Sequence, residues 1–138
     1  MQTTYEYIAL FIEPQQLYTL TAPMRTNPLP RRPQHPHVTF AFHPDEVDET
    51  LFGIEVPITI TAYGNDGKNE GVFVTTQIEN ERLKTLFKRI PVPHITLAIA
   101  DGAHAVNTKK LNFAPVSPVT VKGIFGGCLA ADGQVVLH

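Results

Sequence analysis

Along most of this chain the apolar residues fall into short runs of strand length. Tyr5 to Ile12 is aromatic and branched, with a continuously apolar second half, and predicts a central strand. Pro14 suits the first turn of a short helix to about Thr21, with Leu17 and Leu20 toward the core. Residues 22–36 are proline-rich and without periodicity, a loop long enough for a compact domain to suggest a function. His37 to Phe42 alternates and predicts a strand, followed by an acidic connector over 45–52. Glu55 to Tyr63 alternates again, with Pro57 suited to an edge or to a strand's first residues. Residues 64–71 read as a turn, and Val72 to Ile78 as the returning strand.

Asn80 to Ile90 carries the strongest helical pattern. Asn80 can be its N-cap, and Leu83, Leu86, Phe87 and Ile90 give it one apolar face before Pro91 and Pro93 stop it. His94 to Ala100 predicts a strand and 105–111 a short helix. Val116 to Cys128 is extended, with Gly123, Gly126 and Gly127 marking a bend or a close backbone approach. Asp132-Gly133 is a hairpin signal before a last strand over 134–137.

The outline repeats itself. A strand, a helix and a second strand occur twice, and each second strand opens with the same tetrad: His37-Val38-Thr39-Phe40 and His94-Ile95-Thr96-Leu97. On a strand, each tetrad sends its His and Thr to one face and its apolar pair to the other. The repeat predicts two similar lobes related by a rough two-fold, with the two His-x-Thr strands facing each other across a cleft.

Bulk properties narrow the partners. The 138 residues suit a single domain (1–138) with a sizeable core, and 43% hydrophobic with 17% charged residues suits a soluble one. A net charge of -2 gives no general attraction to nucleic acid or to an anionic membrane, so local groups must hold any anionic substrate. Cys128 is the one cysteine, which excludes an internal disulfide; it reads as a small core residue. The first six residues lack a basic region and a long apolar run, and no stretch approaches membrane-spanning length. A cytoplasmic monomer is expected.

Two imidazoles in one groove suit acid–base catalysis: a neutral ring deprotonates water while a protonated one donates to the leaving oxygen. Two threonine hydroxyls can donate to non-bridging phosphate oxygens. The set fits metal-free hydrolysis of a phosphodiester, a strained cyclic diester being the easier case. A zinc site built on His35, His37 and His94 competes, but gives no reason for the repeated threonine. Arg31 and Arg32, directly before the first tetrad, can sit at the rim of an anion site, and Lys122 can line the cleft. Each can equally be an ordinary surface charge, and Tyr63 can stack on a base or pack within the protein.

The paired tetrads, each on a strand that follows a strand and a helix, resemble the two-histidine (2H) phosphoesterase superfamily. Within it, the compact length and the stretches Tyr63-Gly64 and Gly71-Val72-Phe73-Val74 are similar to the cyclic phosphodiesterase domain of tRNA ligases and related RNA-repair proteins. The resemblance implies an α+β, bilobal fold: two mainly antiparallel sheets lining a central cleft, with helices on the outside. It implies a hydrolase acting on the 2′,3′-cyclic phosphate of RNA ends or nucleotides, or on a related cyclic nucleotide, with neither metal nor cofactor. His37 and His94 would be the acid–base pair, and Thr39 and Thr96 the phosphate-binding hydroxyls. A bell-shaped rate profile around neutral pH is the corresponding expectation. The alternative keeps the same cleft as a non-catalytic phosphate- or nucleotide-binding module.

Overall fold

One apolar core collects the inward positions of nearly every strand. The structure, a computed structural model, describes residues 4–138; residues 1–3, part of the amino-terminal stretch considered above, lie outside the described residues. The strands are β1 (Tyr5–Ile12), β2 (His37–Phe42), β3 (Glu55–Asn65), β4 (Asn69–Thr76), β5 (His94–Ile99), β6 (Ala114–Leu129) and β7 (Val135–Val136). The helices are α1 (Pro14–Thr21) and α2 (Glu81–Lys88), with a 3₁₀ segment over Ala105–Lys110. Leu10 on β1, Val38 on β2, Ile58 on β3, Val72 on β4, Ile95 and Leu97 on β5 and Phe125 on β6 are fully or almost fully buried in that core. Leu17 of α1 and Leu83 of α2 join them.

Both helices start where the sequence places them. The Glu13 carboxylate accepts from the amides of Gln15 and Gln16 ahead of Pro14, and the Asn80 side chain accepts from Leu83 N at 3.0 Å. These bonds satisfy amides that a helix's first turn leaves without partners.

The strands form one antiparallel sheet in the order β2-β1-β6-β3-β4-β5, with β7 added to β6. The separate sheets expected from the sequence are therefore joined. The joint is β6, whose 16 residues pair with β3 through the first part and with β1 through the last. Gly123 lies at the crossover, opposite both Ile12 and Val56, where a side chain would run into Ile58 and Leu10. The order reads alike from both ends: β1 corresponds to β4, β2 to β5, and β6 to β3. Registers agree in detail, since His37 stands opposite Phe11 and His94 opposite Phe73, and each tetrad's threonine follows opposite Ala9 or Gly71. A bulge falls at the same place in each half, beside Ala9 and beside Gly71.

The predicted turn over 64–71 is mostly strand. Asp66 and its neighbours make the turn, the Asp66 carboxylate accepting from Lys68 N and Asn69 N, while Gly64 and Gly71 face each other across β3 and β4. These glycines are required by neighbours rather than by turning: a Cβ at Gly71 would strike the methyl of Thr108 and the carbonyl of Ile95. Pro57 is tolerated because β4 begins pairing only at Ile58, so β3 has one neighbour there.

The sheet coils until its edge strands β2 and β5 approach each other, making it nearly closed. The proline-rich segment completes the closure. Arg31 N donates to Ile99 O at 3.0 Å and Ile99 N to Arg31 O at 2.8 Å, an antiparallel bridge. Deeper, Arg25 forms a two-pronged ion pair with Glu70, at 2.6 and 2.8 Å, both side chains buried. Leu29 N and the Tyr63 hydroxyl also donate to Glu70, at 3.0 and 2.7 Å. No helix among the described residues is long and apolar enough to cross a membrane.

Burial alone would push the Glu70 carboxyl up. Its bonds to Arg25, Leu29 N and Tyr63 outweigh burial and hold its pKa below the usual 4.5. A carboxylate with a depressed folded pKa contributes stability above pH 4.5 that disappears as pH falls through the folded value. Arg25→Met leaves this carboxylate buried without its cation, and urea unfolding is expected to show a loss of about 3–5 kcal/mol. Arg25→Met/Glu70→Met is expected to recover most of that loss and to lose less stability than the wild type on acidification below pH 4.5. A single variant as stable as the wild type would show that the pair does not hold the segment.

Candidate functional site

Each histidine follows a proline, and each ring is anchored by the carbonyl just before that proline. His37 Nδ1 lies 2.6 Å from His35 O, and His94 Nδ1 lies 2.7 Å from Val92 O. A carbonyl only accepts, so in both rings Nδ1 carries the proton of the neutral form. Nε2 is thereby left as the nitrogen that can take a proton, or give one once the ring is charged.

The face on which these rings lie follows from strand pleating. Val38, Ile95 and Leu97 point into the core, so His37 with Thr39, and His94 with Thr96, occupy the opposite face. On that face His37 is stacked against Tyr7, ring centroids 4.5 Å apart and planes at 23°, with Phe11 at 5.7 Å on a tilted plane. Sheet closure brings the two tetrads together. The Arg31–Ile99 bridge fixes an antiparallel relation between the strands, and His37 lies six residues after Arg31 while His94 lies five before Ile99. The imidazoles are close enough that the charge of His94 disfavours charge on His37.

Both histidine pKa values lie below the usual 6.5. For His37 burial is the main cause, opposed by the His35 carbonyl and reinforced by His94 and His35. For His94 burial again leads, opposed by the Val92 carbonyl and reinforced by the cation of Lys109. Both rings are therefore predominantly neutral at pH 7 in the free protein. An arriving phosphate anion would favour the charged form of either.

The threonines differ in their surroundings. The Thr39 hydroxyl has no hydrogen-bond partner among the described residues. The Thr96 hydroxyl lies 2.9 Å from that of Thr108, which the Asn69 amide also contacts at 3.1 Å. Thr108, Lys109 and Asn69 were not singled out by the sequence. Thr108 and Lys109 sit in the short 3₁₀ segment, and only tertiary packing lays that segment beside β5.

The structure gives each of the other candidates a partner within the protein. Arg31 spends its backbone on the bridge to Ile99 and its guanidinium on exposed Asp101. Arg32 lies over the Tyr18 ring, 4.0 Å from its centroid, and Tyr18 donates to Leu97 O at 2.6 Å. Tyr63 stands opposite Val72 and so shares the core-side face, away from His94 and Thr96. Its hydroxyl is committed to Glu70, and burial with that bond pushes its pKa up to about 12. Lys122 points away from the core on β6, but its ammonium is 3.5 Å from Glu55 and β1 separates it from β2. Cys128 is buried with Ala9 and Phe11, as a small packing residue.

Two sizeable surface cavities, of about 1200 and 960 Å³, lie away from the histidines. One runs along Asp45 to Leu51 with Arg82 and Arg89, and the other lies between the start of β3 and α2. Among the described residues no three His, Cys, Asp or Glu side chains are grouped to hold a metal ion, so the zinc alternative on His35, His37 and His94 lacks its ligand set.

In chemical terms, the face offers two imidazoles with free Nε2 atoms, two hydroxyls and one nearby ammonium. Compared with known proteins, the chain matches no family model, and no curated protein matches it either.

Proposed function

We propose that this protein is a metal-independent cyclic phosphodiesterase of the 2H type. It opens the 2′,3′-cyclic phosphate of an RNA end or nucleotide, or a related cyclic nucleotide, through His37 and His94. In this reading the halves β2-β1-β6 and β3-β4-β5 are the two lobes of a 2H-like domain. The observation that carries it is the matched pair of anchored imidazoles. Each has Nδ1 tied to a carbonyl two residues back, each shares a strand face with a threonine, and the charge of His94 reaches His37.

The chemistry needs one proton in and one out. Nε2 of one neutral ring takes a proton from water as its oxygen bonds to phosphorus. Nε2–H of the other ring, as imidazolium, protonates the ribose oxygen whose bond to phosphorus breaks. The Thr39 and Thr96 hydroxyls donate to the non-bridging oxygens, where charge builds in the transition state. Carbonyl acceptors at both Nδ1 atoms keep the rings oriented through the exchange and stabilise whichever is charged. Lys109, whose charge reaches His94, adds positive potential for the phosphate.

Hydrolysis of nucleoside 2′,3′-cyclic phosphates in the presence of a chelator tests this directly. His37→Ala and His94→Ala are each expected to lose about 10²–10⁴-fold in rate while remaining folded. Full activity in either variant rejects that histidine's role, and tight nucleotide binding without turnover by the wild type would make the site a binding module.

The pH profile carries a sign. The base must be neutral, which favours pH above its pKa, and the acid must be charged, which favours pH below its own. With both values depressed, the bell for kcat/KM is expected to peak on the acid side of 6.5 rather than around neutrality. A maximum above pH 7.5 would contradict the assignment.

Arg32→Ala and Lys122→Ala are expected to change kcat/KM by less than about threefold, because Arg32 lies over Tyr18, Lys122 faces Glu55, and surface charges of this kind contribute little. A loss of a hundredfold in either would return that side chain to the site.

A further inference from the structure

An anionic substrate meets a protein of net charge -2, so the cations near the histidines decide how it is held. Both imidazoles are predominantly neutral in the free protein, with burial the leading cause for each. Arg25, Arg31, Arg82 and Lys122 are each paired with a carboxylate, and Arg32 lies over the Tyr18 ring. Lys109 differs from these. It is exposed, forms no salt bridge among the described residues, and its charge reaches His94. The charges that act on His37 are those of His94 and His35, so this cation belongs to one half of the site.

The segment that carries Lys109 is tied down by buried polar groups. Asn69 is buried on β4, and its side-chain nitrogen donates to His104 O at 2.8 Å and to Thr108 Oγ1 at 3.1 Å. Thr108 is completely buried and also accepts from Thr96 Oγ1 at 2.9 Å. Farther along, Phe113 packs on Phe73, ring centroids 6.0 Å apart, and Phe73 stands opposite His94. The segment therefore runs over the sheet from the Ile99 end of β5, where Asn69 pairs, toward the His94 end. Lys109 directly follows the residue held by Thr96. The Thr96 proton is used inward in this arrangement, and a phosphate receives it only once that hydroxyl turns from Thr108. The group of this half that stands ready for an anion is the Lys109 ammonium.

We propose that Lys109 is a substrate-binding residue that holds the phosphate anion beside His94, and that Asn69 and Thr108 are its positioning residues. This deepens, and rests on, the phosphodiesterase reading. A phosphodiester is an anion near neutral pH, and so is the monoester it becomes. Lys109 meets a negative charge at every stage, so it contributes to binding alike in the ground state and in the transition state. Its ammonium is a point charge on a flexible stem, which can follow the phosphate oxygens as they move. The other half is built differently. Tyr7 on β1, opposite Phe42, takes the place that Asn69 holds on β4 opposite Ile99, and it stacks on His37 instead of tying down a cation. The phosphate therefore lies with a charged oxygen toward the Lys109 side.

Titration with inorganic phosphate, followed by NMR through the His94 ring resonances, tests this without turnover. Lys109→Met is expected to weaken phosphate binding about tenfold, and Lys109→Arg to stay within about threefold of the wild type, since a charge-assisted hydrogen bond is lost in one and kept in the other. In ligand-free Lys109→Met the His94 pKa is expected to rise, because the opposing cation is gone. With nucleoside 2′,3′-cyclic phosphates, Lys109→Met is expected to raise KM about tenfold and to change kcat by less than about threefold, as loss of uniform binding does. Thr108→Val removes the hydroxyl that anchors the segment. It is expected to weaken phosphate binding in the wild-type background and to have no further effect on Lys109→Met. Unchanged phosphate affinity in Lys109→Met, a Lys109→Arg protein as weak as Lys109→Met, or no phosphate binding by the wild type overturns the proposal. An equal loss from Thr108→Val in both backgrounds overturns the positioning role. Absence of turnover by a wild type that binds phosphate instead rejects the phosphodiesterase reading, and the phosphate titration still decides the role of Lys109.

Discussion

Closure of the sheet is the constraint from which the site follows. Two strands at opposite ends of a flat six-strand ladder would lie far apart, at about 4.8 Å per step. Here the ladder coils around one core until β2 and β5 face each other, and the proline-rich segment crosses the remaining gap. Arg31 bonds to the backbone of Ile99 on one side of the gap, and Arg25 reaches the buried Glu70 carboxylate beneath it. A buried ion pair of this kind contributes little net stability, because desolvation offsets most of the attraction. Its value is geometric: Glu70 accepts from Arg25, Leu29 and Tyr63 only when the segment lies in one place. The segment leads directly into His37, so its anchoring also fixes the approach of β2 to β5.

The repeated tetrads gain meaning from that closure. Each half builds the same local device, a proline that exposes the preceding carbonyl and a histidine that turns Nδ1 onto it. The device sets the tautomer without any carboxylate partner. Beyond it the halves diverge. Tyr7 and Phe11 enclose His37 in aromatic surface, while His94 lies near Lys109 and Thr96 is tied to the buried pair Thr108 and Asn69. A substrate with two chemically distinct ends suits a site whose halves share a plan and differ in their supports.

The sequence by itself determined most of the local structure, because short-range physics governs it. Alternation put Val38 and Thr39 on opposite faces, Asn80 capped α2, and the duplicated His-x-Thr named the four side chains of the candidate site. What it misjudged depended on distant neighbours. Gly64 and Gly71 look like turn residues, yet they are strand glycines needed by Leu111 and Thr108. Arg32 lies over Tyr18 and the Tyr63 hydroxyl bonds to Glu70, contacts that no local pattern shows. Tertiary structure alone decided that β6 joins both halves into one sheet, that the strands carrying the two histidines approach at its closing edge, and that Thr108 stands beside Thr96. Those outcomes depend on long-range pairing and on the sum of many core contacts, which no local pattern of residues encodes.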